Sequence, residues 1–375
     1  MNKQIKIICV CGARPNFVKI APLLKIFKKD RNFEILLVHT GQHYDDCMSK
    51  AFFDDLRIPR PDLNLGVGSS SQSSQTAKIM MSFEPIALKF KPNYVLVVGD
   101  VNSAVACALV AVQNDIKVIH VEAGLRSFDR SMPEEINRII IDAISDLLFV
   151  SEPSGIKNLK REGIDSSKIH FVGNVMIDTL LANCKKSRKS RVIDKYNLKP
   201  KEYGVVTLHR VGNVDYKSNF LNILQALREI SKTMKLVFPV HPRTLANLKQ
   251  MGLSSYIASI NNLNLVEPLG YLDFLCLMNN AAVVLTDSGG IQEETTILRI
   301  PCVTLRENTE RPVTLESGTN HLVKLNKRDI VATYRKAIVY LEDGSDKKMP
   351  SLWDGKSAER IVKVIRNFQN IRRTA

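Results

Sequence analysis

The chain has 375 residues, of which 45% are hydrophobic and 24% charged, as in an ordinary soluble globular protein. This is long for a single hydrophobic core, so we expect two domains. No run approaches the roughly 18 apolar residues of a membrane span, and residues 1–3 lead into a strand and not into a signal peptide, so no integral membrane association is expected.

The chain is strongly basic, with 53 Lys and Arg against 38 Asp and Glu and a net charge of +15. Such an excess raises the question of a nucleic-acid partner. Much of it lies in residues 185–201 and at the C-terminus, without interleaved aromatic side chains and without a nucleic-acid motif. We therefore expect no nucleic-acid partner, and a surface that suits an anionic ligand or an anionic membrane surface.

The seven cysteines are an odd number and are scattered along the chain. The five in apolar contexts are Cys9, Cys11, Cys107, Cys276 and Cys302. This pattern indicates core positions in a reducing compartment, so we expect a cytoplasmic protein without disulfides. His39 and His43 are four residues apart but lack a paired glutamate, and no metal site is expected.

Apolar runs rich in β-forming residues alternate with helical patterns along the whole chain. The first set of predicted strands is Lys6–Cys11, Glu34–His39, Tyr94–Gly99, Lys117–Val121, Leu147–Val150 and Ile169–Val172. The second set is Tyr203–Leu208, Lys235–Val240, Leu263–Val266, Ala282–Thr286, Cys302–Leu305 and His321–Lys324. Near-continuous hydrophobic strands separated by helices predict parallel sheets covered on both faces.

These two sets predict an α/β protein with two Rossmann-like, doubly wound parallel-sheet domains facing a cleft. The expected domains are residues 1–183 and 202–355, joined by a basic polar linker at 184–201. Residues 356–375 are predicted to form a helix that packs back across the junction.

Polar residues follow the predicted strands of the first set, where open parallel sheets bind their ligands. These strand ends are Gly12-Ala13-Arg14-Pro15, Thr40-Gly41-Gln42-His43, Gly99-Asp100-Val101-Asn102-Ser103 and Glu122. Pro15 at the first position of a helix leaves backbone N–H groups free to face an anion, and Arg14 and Lys19 add positive charge. The turn therefore predicts a phosphate site, with an ordinary strand–helix turn as the alternative.

Charges of both signs crowd the segment from Val121 to Arg138. They are Glu122, Asp129, Glu134 and Glu135 with Arg126, Arg130 and Arg138. Unpaired charges are costly to desolvate, so core packing does not account for seven of them. Guanidiniums bind phosphate in a fork geometry and carboxylates move protons, which indicates a sugar-phosphate substrate. A solvated loop of salt bridges is the alternative.

The second set of strands ends in a similar group of polar residues. These ends are His209-Arg210, His241-Pro242-Arg243 and Asp287-Ser288-Gly289-Gly290. The pair Gly289-Gly290 lets the backbone approach a diphosphate at a helix start, Ser288 can donate to it, and Glu294 can accept ribose hydroxyls. Arg306 and Arg311 follow the next strand and either close on the same phosphates or order their own loop. No Gly-x-Gly-x-x-Gly fingerprint occurs, so we expect no dinucleotide cofactor.

With these motifs assembled, the chain resembles the non-hydrolysing UDP-N-acetylglucosamine 2-epimerases, a family with the two-domain GT-B fold of nucleotide-sugar glycosyltransferases. The resemblance covers essentially the whole chain. Its motifs are Gly12–Pro15, Thr40–His43, Gly99–Ser103, Val121–Arg126, Pro133–Arg138, Gly173-Asn174, His209-Arg210, Pro239–Pro242, Asp287–Glu294 and Thr309–Pro312.

The resemblance implies a role for each matched residue. The implied catalytic residues are the acid/base carboxylates Asp100, Glu122 and Glu134, with His209. The implied substrate-binding residues are Arg14, Lys19, Arg138, His241, Ser288, Gly289, Gly290, Glu294 and Arg311. Two segments depart from the family. Val211-Gly212-Asn213 replaces Glu-Asn after His209-Arg210, which leaves the role of Val211 open. Gln42–Asp46 differs from the form found where the substrate is also an allosteric activator, so that regulation is not carried over.

The implied chemistry is an elimination followed by an addition. The C2 proton of the sugar is not next to a carbonyl, and the chain lacks the fingerprint of NAD-dependent epimerases. UDP would leave C1 as a base removes the C2 proton, and would re-add to the glycal while a proton arrives on the opposite face. The resemblance thus implies a homodimeric enzyme that interconverts UDP-GlcNAc and UDP-ManNAc for cell-surface polysaccharides, without a cofactor.

Four alternatives remain open at this point. An epimerase of this kind could instead act on a UDP-2,3-diacetamido-uronate sugar. A hydrolysing epimerase would release UDP and free sugar. A GT-B glycosyltransferase shares the nucleotide site but has no need of the carboxylate-rich loop. A non-catalytic binding protein would tolerate the loss of Asp100 and Glu122.

Overall fold

The computed structural model describes residues 4–41, 53, 55–56, 58–342 and 348–374. The predicted segment Gln42–Asp46, which includes His43, lies outside these residues. The chain divides into two compact units, Met1–Ala182 with Ser351–Ala375, and Asn183–Pro350. Each unit is built on one sheet.

Two parallel sheets form the framework. In the first unit, the strands are β1 (Ile5–Cys11), β2 (Phe33–His39), β3 (Leu63–Asn64), β4 (Tyr94–Val98), β5 (Lys117–Ala123), β6 (Leu147–Val150) and β7 (Ile169–Phe171). In the second, they are β8 (Tyr203–Thr207), β9 (Lys235–Pro239), β10 (Leu263–Val266), β11 (Val283–Thr286), β12 (Cys302–Thr304) and β13 (Asn320–Leu322). The orders are β3-β2-β1-β4-β5-β6-β7 and β10-β9-β8-β11-β12-β13.

Helices connect the parallel strands. They are α1 (Arg14–Phe27), α2 (Gln72–Phe90), α3 (Asn102–Gln113), α4 (Pro133–Ile144), α5 (Pro153–Arg161), α6 (Val175–Ser187), α7 (Val192–Lys195), α8 (Val211–Val214), α9 (Lys217–Ile230), α10 (Pro242–Gln250), α11 (Ser254–Ala258), α12 (Tyr271–Asn279), α13 (Gly289–Leu298), α14 (Val313–Glu316), α15 (Lys327–Glu342) and α16 (Ser357–Thr374). Among the described residues, none of these helices combines the length and apolar character needed to cross a membrane.

The predicted α/β fold with two doubly wound parallel sheets is confirmed. Each of the twelve predicted strands is present. The interior strands β4 and β6 are apolar and buried at every position, which is the pattern of a parallel strand covered on both faces. Strand β3 was not predicted. It is two residues long and exposed at the sheet edge, so it carries no hydrophobic pattern.

The strand order of each sheet reverses once, between β1 and β4 in the first unit and between β8 and β11 in the second. At such a switch point the connections diverge to either side and leave the carboxyl ends of two neighbouring strands uncovered. In the first unit, Gly12, Gly99 and the end of β5 therefore adjoin this point. In the second unit, residues after Thr207 and Thr286 do.

The core of the first unit explains why the switch-point residues are held firmly. Small side chains of α3, including Ala104, Ala108 and Ala111, are buried against the sheet. Small residues let the helix approach the strands closely, and this packing holds the loop between β4 and α3 in place.

Cys9, Cys11, Cys107 and Cys302 are buried free thiols, and burial raises the pKa of Cys11 and Cys107 well above the ordinary value.

The segment at 184–201 belongs to the second unit and contains the end of α6 and the short helix α7. The last helix, α16, returns to the first unit. Its first turn is capped by the buried Asp178, which accepts hydrogen bonds from the N–H groups of Ser357 and Ala358 at 3.1 and 2.7 Å. Trp353 anchors the preceding turn by donating from Nε1 to the carbonyl of Ser151 at 2.8 Å.

Candidate active site

In the first unit, a buried ion pair joins α1 to β5 at the switch point. The ammonium of Lys19 lies 2.8 Å from Oε1 and 2.7 Å from Oε2 of Glu122, and both side chains are buried. Glu122 has a φ of 74°, at the place where the register of β5 against β6 shifts between Val121 and Ala123. A left-handed non-glycine residue costs about 1–3 kcal/mol and persists where its surroundings require it. The strand was predicted to end before Glu122, and the structure continues it through this irregularity.

Gly99 makes room for that ion pair. It has a φ of 68°, and a Cβ at this position would lie 3.2 Å from Nζ of Lys19 and 3.9 Å from Oε1 of Glu122. Only glycine takes up this backbone conformation freely and leaves the space to the lysine. The next residue, Asp100, has a partly exposed side chain that forms an ion pair with Nη1 of Arg138. Two carboxylates, one just after β4 and one near the end of β5, are thus paired with different cations.

Helix α4 carries two adjacent glutamates, of which Glu134 is exposed and Glu135 is buried. Glu135 is buried and accepts hydrogen bonds from Ser127, from Phe128 N–H and from Arg138. Burial raises the pKa of Glu135, but the hydrogen bonds from Ser127, Arg138 and Phe128 outweigh it and hold the pKa below its ordinary value. Glu134 lies in the exposed first turn. Glu135 therefore orders Arg138 and the 127–128 loop, and Glu134 is the one open to a ligand.

The turn before α1 corrects one expectation from the sequence. The N–H groups of Gly12 and Ala13 donate to Oδ1 of Asn16 at 3.3 and 2.9 Å, so these amides are used inside the protein. The amide of Asn16 in turn donates to the carbonyl of Val98, which ties α1 to β4 at 2.8 Å. The anion-binding capacity of this turn consequently depends on the side chain of Arg14, which is half-buried at the start of the helix.

A network of charged residues, buried except for Glu162, lies beside the strand ends that carry the two carboxylates. His120 of β5 contacts Oδ1 of Asp142 at 2.7 Å, and Arg126 contacts Oδ2 of the same carboxylate at 2.7 Å. Arg126 also forms a two-pronged pair with Glu162, at 2.8 and 2.6 Å. Burial raises the pKa of Asp142, but His120 and Arg126 outweigh it and lower the pKa.

The sequence did carry a signal for this network. A histidine in the middle of an apolar strand has to find a buried partner, because an unsatisfied polar group in a core is costly. Glu135, Arg138 and Asp142 also recur at a spacing of three and four residues, which places them on one buried face of α4.

In the second unit, a buried carboxylate organises the end of β8. Asp287 accepts hydrogen bonds from the backbone N–H groups of His209 and Arg210 and from the amide of Asn213. It also lies 2.9 Å from Nδ1 of the exposed His209 side chain. Burial raises the pKa of Asp287, but His209 and these hydrogen bonds hold it below the ordinary value. The Asp287 contact orients the imidazole, and Val211 at the open position of the motif is exposed.

Helix α13 begins within a cluster of arginines. Oε2 of Glu310 lies 2.9 Å from Nη2 of Arg306 in a salt bridge, and the same carboxylate pairs with Arg311 and lies 3.6 Å from Arg210. Arg311 also donates to Glu293 at 2.7 Å. Three guanidiniums face two carboxylates here, so positive charge is in excess beside a helix N-terminus, which is a favourable place for an anion. Nη1 of Arg306 is buried and has no hydrogen-bond partner among the described residues.

The predicted nucleotide residues of α13 lie at that cluster. Ser288 precedes the helix, its backbone N–H donates to Thr286, and its side chain does not cap the helix. A Cβ on Gly289 would overlap the guanidinium of Arg311 and the carboxylate of Glu310, so a larger residue here would displace this ion pair. Gly290 follows in the first turn of the helix.

Glu294 and His241 occupy different settings. Glu294 is buried one turn into α13 and accepts a hydrogen bond from the hydroxyl of Tyr271 at 3.2 Å. Burial and the nearby Glu294 raise the pKa of Tyr271 well above its ordinary value, so the phenol remains a donor. His241 is exposed and caps α10 by accepting from Arg243 N–H at 3.2 Å.

In the parts of the chain that the structure describes, no group of three His, Cys, Asp or Glu side chains is arranged to hold a metal ion.

Comparison with known proteins identifies the family of the chain. The family model described as UDP-N-acetylglucosamine 2-epimerase matches residues 25–366. A UDP-N-acetylglucosamine 2-epimerase homolog of Methanococcus maripaludis is 46% identical, over 97% of this chain and 100% of the relative. The UDP-2,3-diacetamido-2,3-dideoxy-D-glucuronate 2-epimerase of Pseudomonas aeruginosa is 38% identical, over 89% of this chain and 92% of the relative.

A solved structure gives the same answer for the fold. The UDP-GlcNAc 2-epimerase of Methanocaldococcus jannaschii, in complex with UDP-GlcNAc and UDP, matches with a TM-score of 0.90 and 41% identity, covering 97% of this chain and 100% of that one. Both the length covered and the level of identity are those of members of one family. The chain belongs to the UDP-N-acetylglucosamine 2-epimerase family and is an epimerase.

Proposed function

We propose that this epimerase is non-hydrolysing and interconverts UDP-GlcNAc and UDP-ManNAc. The observation that carries the proposal is the pair of carboxylates at the switch point of the first sheet. Asp100 follows β4 and Glu122 lies near the end of the neighbouring strand β5, and they pair with different cations, Arg138 and Lys19. Two acid/base groups held separately in this way suit a reaction that removes a proton from one face of a carbon and returns one to the other.

In the first step, a carboxylate takes the proton from C2 of the sugar while the bond between C1 and the β-phosphate oxygen breaks. The electron pair of the C–H bond becomes the C1–C2 double bond of a glycal, and UDP carries away the electrons of the C–O bond. In the second step UDP re-adds to C1, and C2 receives a proton on the opposite face. Atoms and charge balance without a hydride carrier, in agreement with the absence of a dinucleotide fingerprint from the sequence.

We assign the leaving diphosphate to the second unit. The start of α13 and the surplus of guanidiniums around Glu310 supply fixed positive charge, and Arg306 has a buried N–H to offer. Such preorganised charge stabilises a developing diphosphate anion more than the bound ground state, which is how it accelerates departure. His209, oriented by Asp287, is the group of this unit that we assign to the reaction itself.

A second substrate is favoured by one specific observation. The Pseudomonas aeruginosa relative, at 38% identity, carries the name of a 2-epimerase for UDP-2,3-diacetamido-2,3-dideoxy-D-glucuronate. The same elimination would operate on that sugar, because C2 and C1 react in the same manner. Parallel assays with UDP-GlcNAc and with the diacetamido-uronate identify the substrate by the ratio of the two kcat/KM values.

We further propose that the enzyme is a cytoplasmic homodimer that supplies cell-surface polysaccharide synthesis. Apolar side chains are exposed on two packed helices of the first unit, with Met81 75% and Leu88 51% exposed on α2 and Val112 41% on α3. Exposed apolar groups of this kind favour association with a second copy. Light scattering at micromolar concentration should give twice the monomer mass, and a stable monomer would contradict this assembly.

The test of the proposed function is product analysis in D₂O without added NAD or metal. UDP-GlcNAc should be converted to UDP-ManNAc, and the recovered sugar should carry deuterium at C2. Accumulation of free sugar and UDP in place of epimer would instead indicate a hydrolysing enzyme.

A further inference from the structure

The charged network beside these strand ends has two contacts with the backbone of the reacting residues. Nε2 of His120 lies 3.0 Å from the carbonyl oxygen of Gly99, the residue immediately before Asp100. Oδ2 of Asp142 accepts from the N–H of Gly124 at 3.0 Å, two residues after Glu122. One histidine–aspartate pair therefore reaches the main chain beside both carboxylates.

Both ring nitrogens of His120 have a partner at hydrogen-bond distance. Nδ1 lies 2.7 Å from Oδ1 of Asp142, and Nε2 lies 3.0 Å from the carbonyl oxygen of Gly99. Arg126 contacts the same Asp142 carboxylate in the interior and pairs at its other end with Glu162, whose side chain is 30% exposed. Each member has its partners, so the network is rigid.

The backbone at these contacts lies in the left-handed region. Gly99 and Gly124 have φ values of 68° and 80°, which glycine adopts freely, whereas Glu122, two residues before Gly124, has a φ of 74° and is strained. A strained residue returns to an ordinary conformation unless its surroundings prevent this. A buried salt bridge contributes little to net stability, since desolvation offsets the attraction of the charges. We therefore infer that the buried His120–Asp142 pair serves to hold the backbone conformation at these residues.

We propose that His120 and Asp142 are positioning residues for the epimerisation, which fix Asp100 and Glu122 relative to each other through Gly99 and Gly124. They act on the backbone and do not touch the substrate. This inference rests on the proposed function, because it assigns Asp100 and Glu122 to proton transfer. Its consequence is that loss of the pair should impair the return of the proton to C2 more than the binding of UDP.

Two substitutions of His120 separate the two halves of the network. In His120→Gln the side-chain amide nitrogen lies about as far out as Nε2 and can still donate to Gly99. In His120→Asn it lies at the level of Nδ1 and can reach only Asp142. Asp142→Asn removes the charge and keeps the size. The matched control is Asp178→Asn, a buried carboxylate of the same unit that caps α16.

The informative measurement is a ratio, the free UDP released for each epimer formed, taken from NMR of the reaction in D₂O. Unfolding lowers the amount of active enzyme but does not change this ratio, so a merely structural role would not move it. Misplacement of catalytic groups by about 1 Å costs on the order of 10²-fold in rate. We expect His120→Asn and Asp142→Asn to lower kcat about 10²-fold and to raise the ratio, with His120→Gln in between.

Calorimetry with UDP supplies the second readout, since we assign UDP to the second unit. The affinity for UDP should stay unchanged in all four variants, and Asp178→Asn should keep the wild-type ratio. The proposal is overturned if His120→Asn and Asp142→Asn keep the wild-type kcat and ratio, or if Asp178→Asn shifts the ratio equally. Should Asp142→Asn fail to fold, the two His120 variants decide. Wild-type protein that forms no epimer from either sugar would contradict the proposed function itself, and not this positioning role alone.

Discussion

The ammonium of Lys19 contacts both carboxylate oxygens of Glu122, at 2.8 and 2.7 Å, although the two residues are 103 positions apart in the chain. The lysine comes from the first turns of α1, and the glutamate from the irregular end of β5. The carboxylate is therefore held in position before any substrate arrives. This preorganisation is what a group needs if it is to meet a C–H bond in a fixed geometry.

The first prediction separates proton transfer from nucleotide binding. Asp100→Asn and Glu122→Gln should lower kcat by about 10²–10⁴, the usual contribution of a positioned acid or base. Both should bind UDP as the wild type does, because UDP is assigned to the second unit. Calorimetry with UDP and steady-state kinetics check this. Loss of UDP affinity with intact turnover of bound substrate would contradict the roles given to both carboxylates.

The second prediction concerns the space that Gly99 leaves for Lys19. Gly99→Ala adds a Cβ 3.2 Å from the lysine ammonium and also places alanine at a φ of 68°. Gly163→Ala is the matched control, since Gly163 has a φ of 80° and open space around it. Each variant should lose about 1–2 kcal/mol of stability from the left-handed backbone.

Only Gly99→Ala should also lose activity, because only there does the new methyl group displace a residue of the site. Thermal denaturation and kcat measured on the same preparations provide the comparison. Equal activity of the two variants would show that the Lys19–Glu122 geometry is not required.

The third prediction tests the nucleotide side of the site. Glu294→Ala should weaken UDP binding by about 1–3 kcal/mol, the value of a hydrogen bond to a charged group. The structure adds a control, because Glu294 also accepts from Tyr271. Tyr271→Phe removes that hydroxyl and keeps the carboxylate, so it should weaken UDP binding less. If calorimetry gives the two variants equal losses, Glu294 acts by supporting its neighbours and not by binding ribose.

The fourth prediction follows from the lowered pKa of Asp287. The unfolded carboxyl has a pKa of about 3.9, so the stabilisation by Asp287 is complete above that pH and is lost as the pH falls through the lower folded-state pKa. Asp287→Asn should melt at a lower temperature than the wild type at pH 7, and the difference should shrink below about pH 4. A difference that is constant from pH 7 to pH 3 would contradict this.

Much of the fold could be predicted because burial on both faces gives parallel strands an unmistakable pattern. The runs Tyr94–Val98 and Leu147–Val150 are apolar at every position, and they form central strands. Strand β3 has two exposed residues and depends on pairing with β2, which no local pattern reveals. The irregularity at Glu122 could not be predicted either, because a single left-handed residue does not change the hydrophobic pattern of the strand.

The site was predictable in its residue types and less so in their partners. Sequence spacing brings Asp100 and Glu122 to one edge of the sheet, but nothing local indicates that Arg138 and Lys19 pair with them. Glu134 and Glu135 are adjacent residues of the same type, so the sequence does not distinguish them directly. Glu135 shares a face of the helix with Arg138, and this face is the buried one. The sequence predicted free backbone N–H groups at the turn before α1, but those of Gly12 and Ala13 donate to the side chain of Asn16.

The fate of the C2 hydrogen in D₂O is the most direct test of the proposed elimination mechanism. Purified enzyme, UDP-GlcNAc and no added NAD or metal should yield UDP-ManNAc, with deuterium at C2 of the product and of the recovered substrate. Glu122→Gln should slow this incorporation along with the epimerisation. Interconversion of the two sugars with the original hydrogen retained at C2 would contradict the elimination mechanism and the roles of Asp100 and Glu122 together.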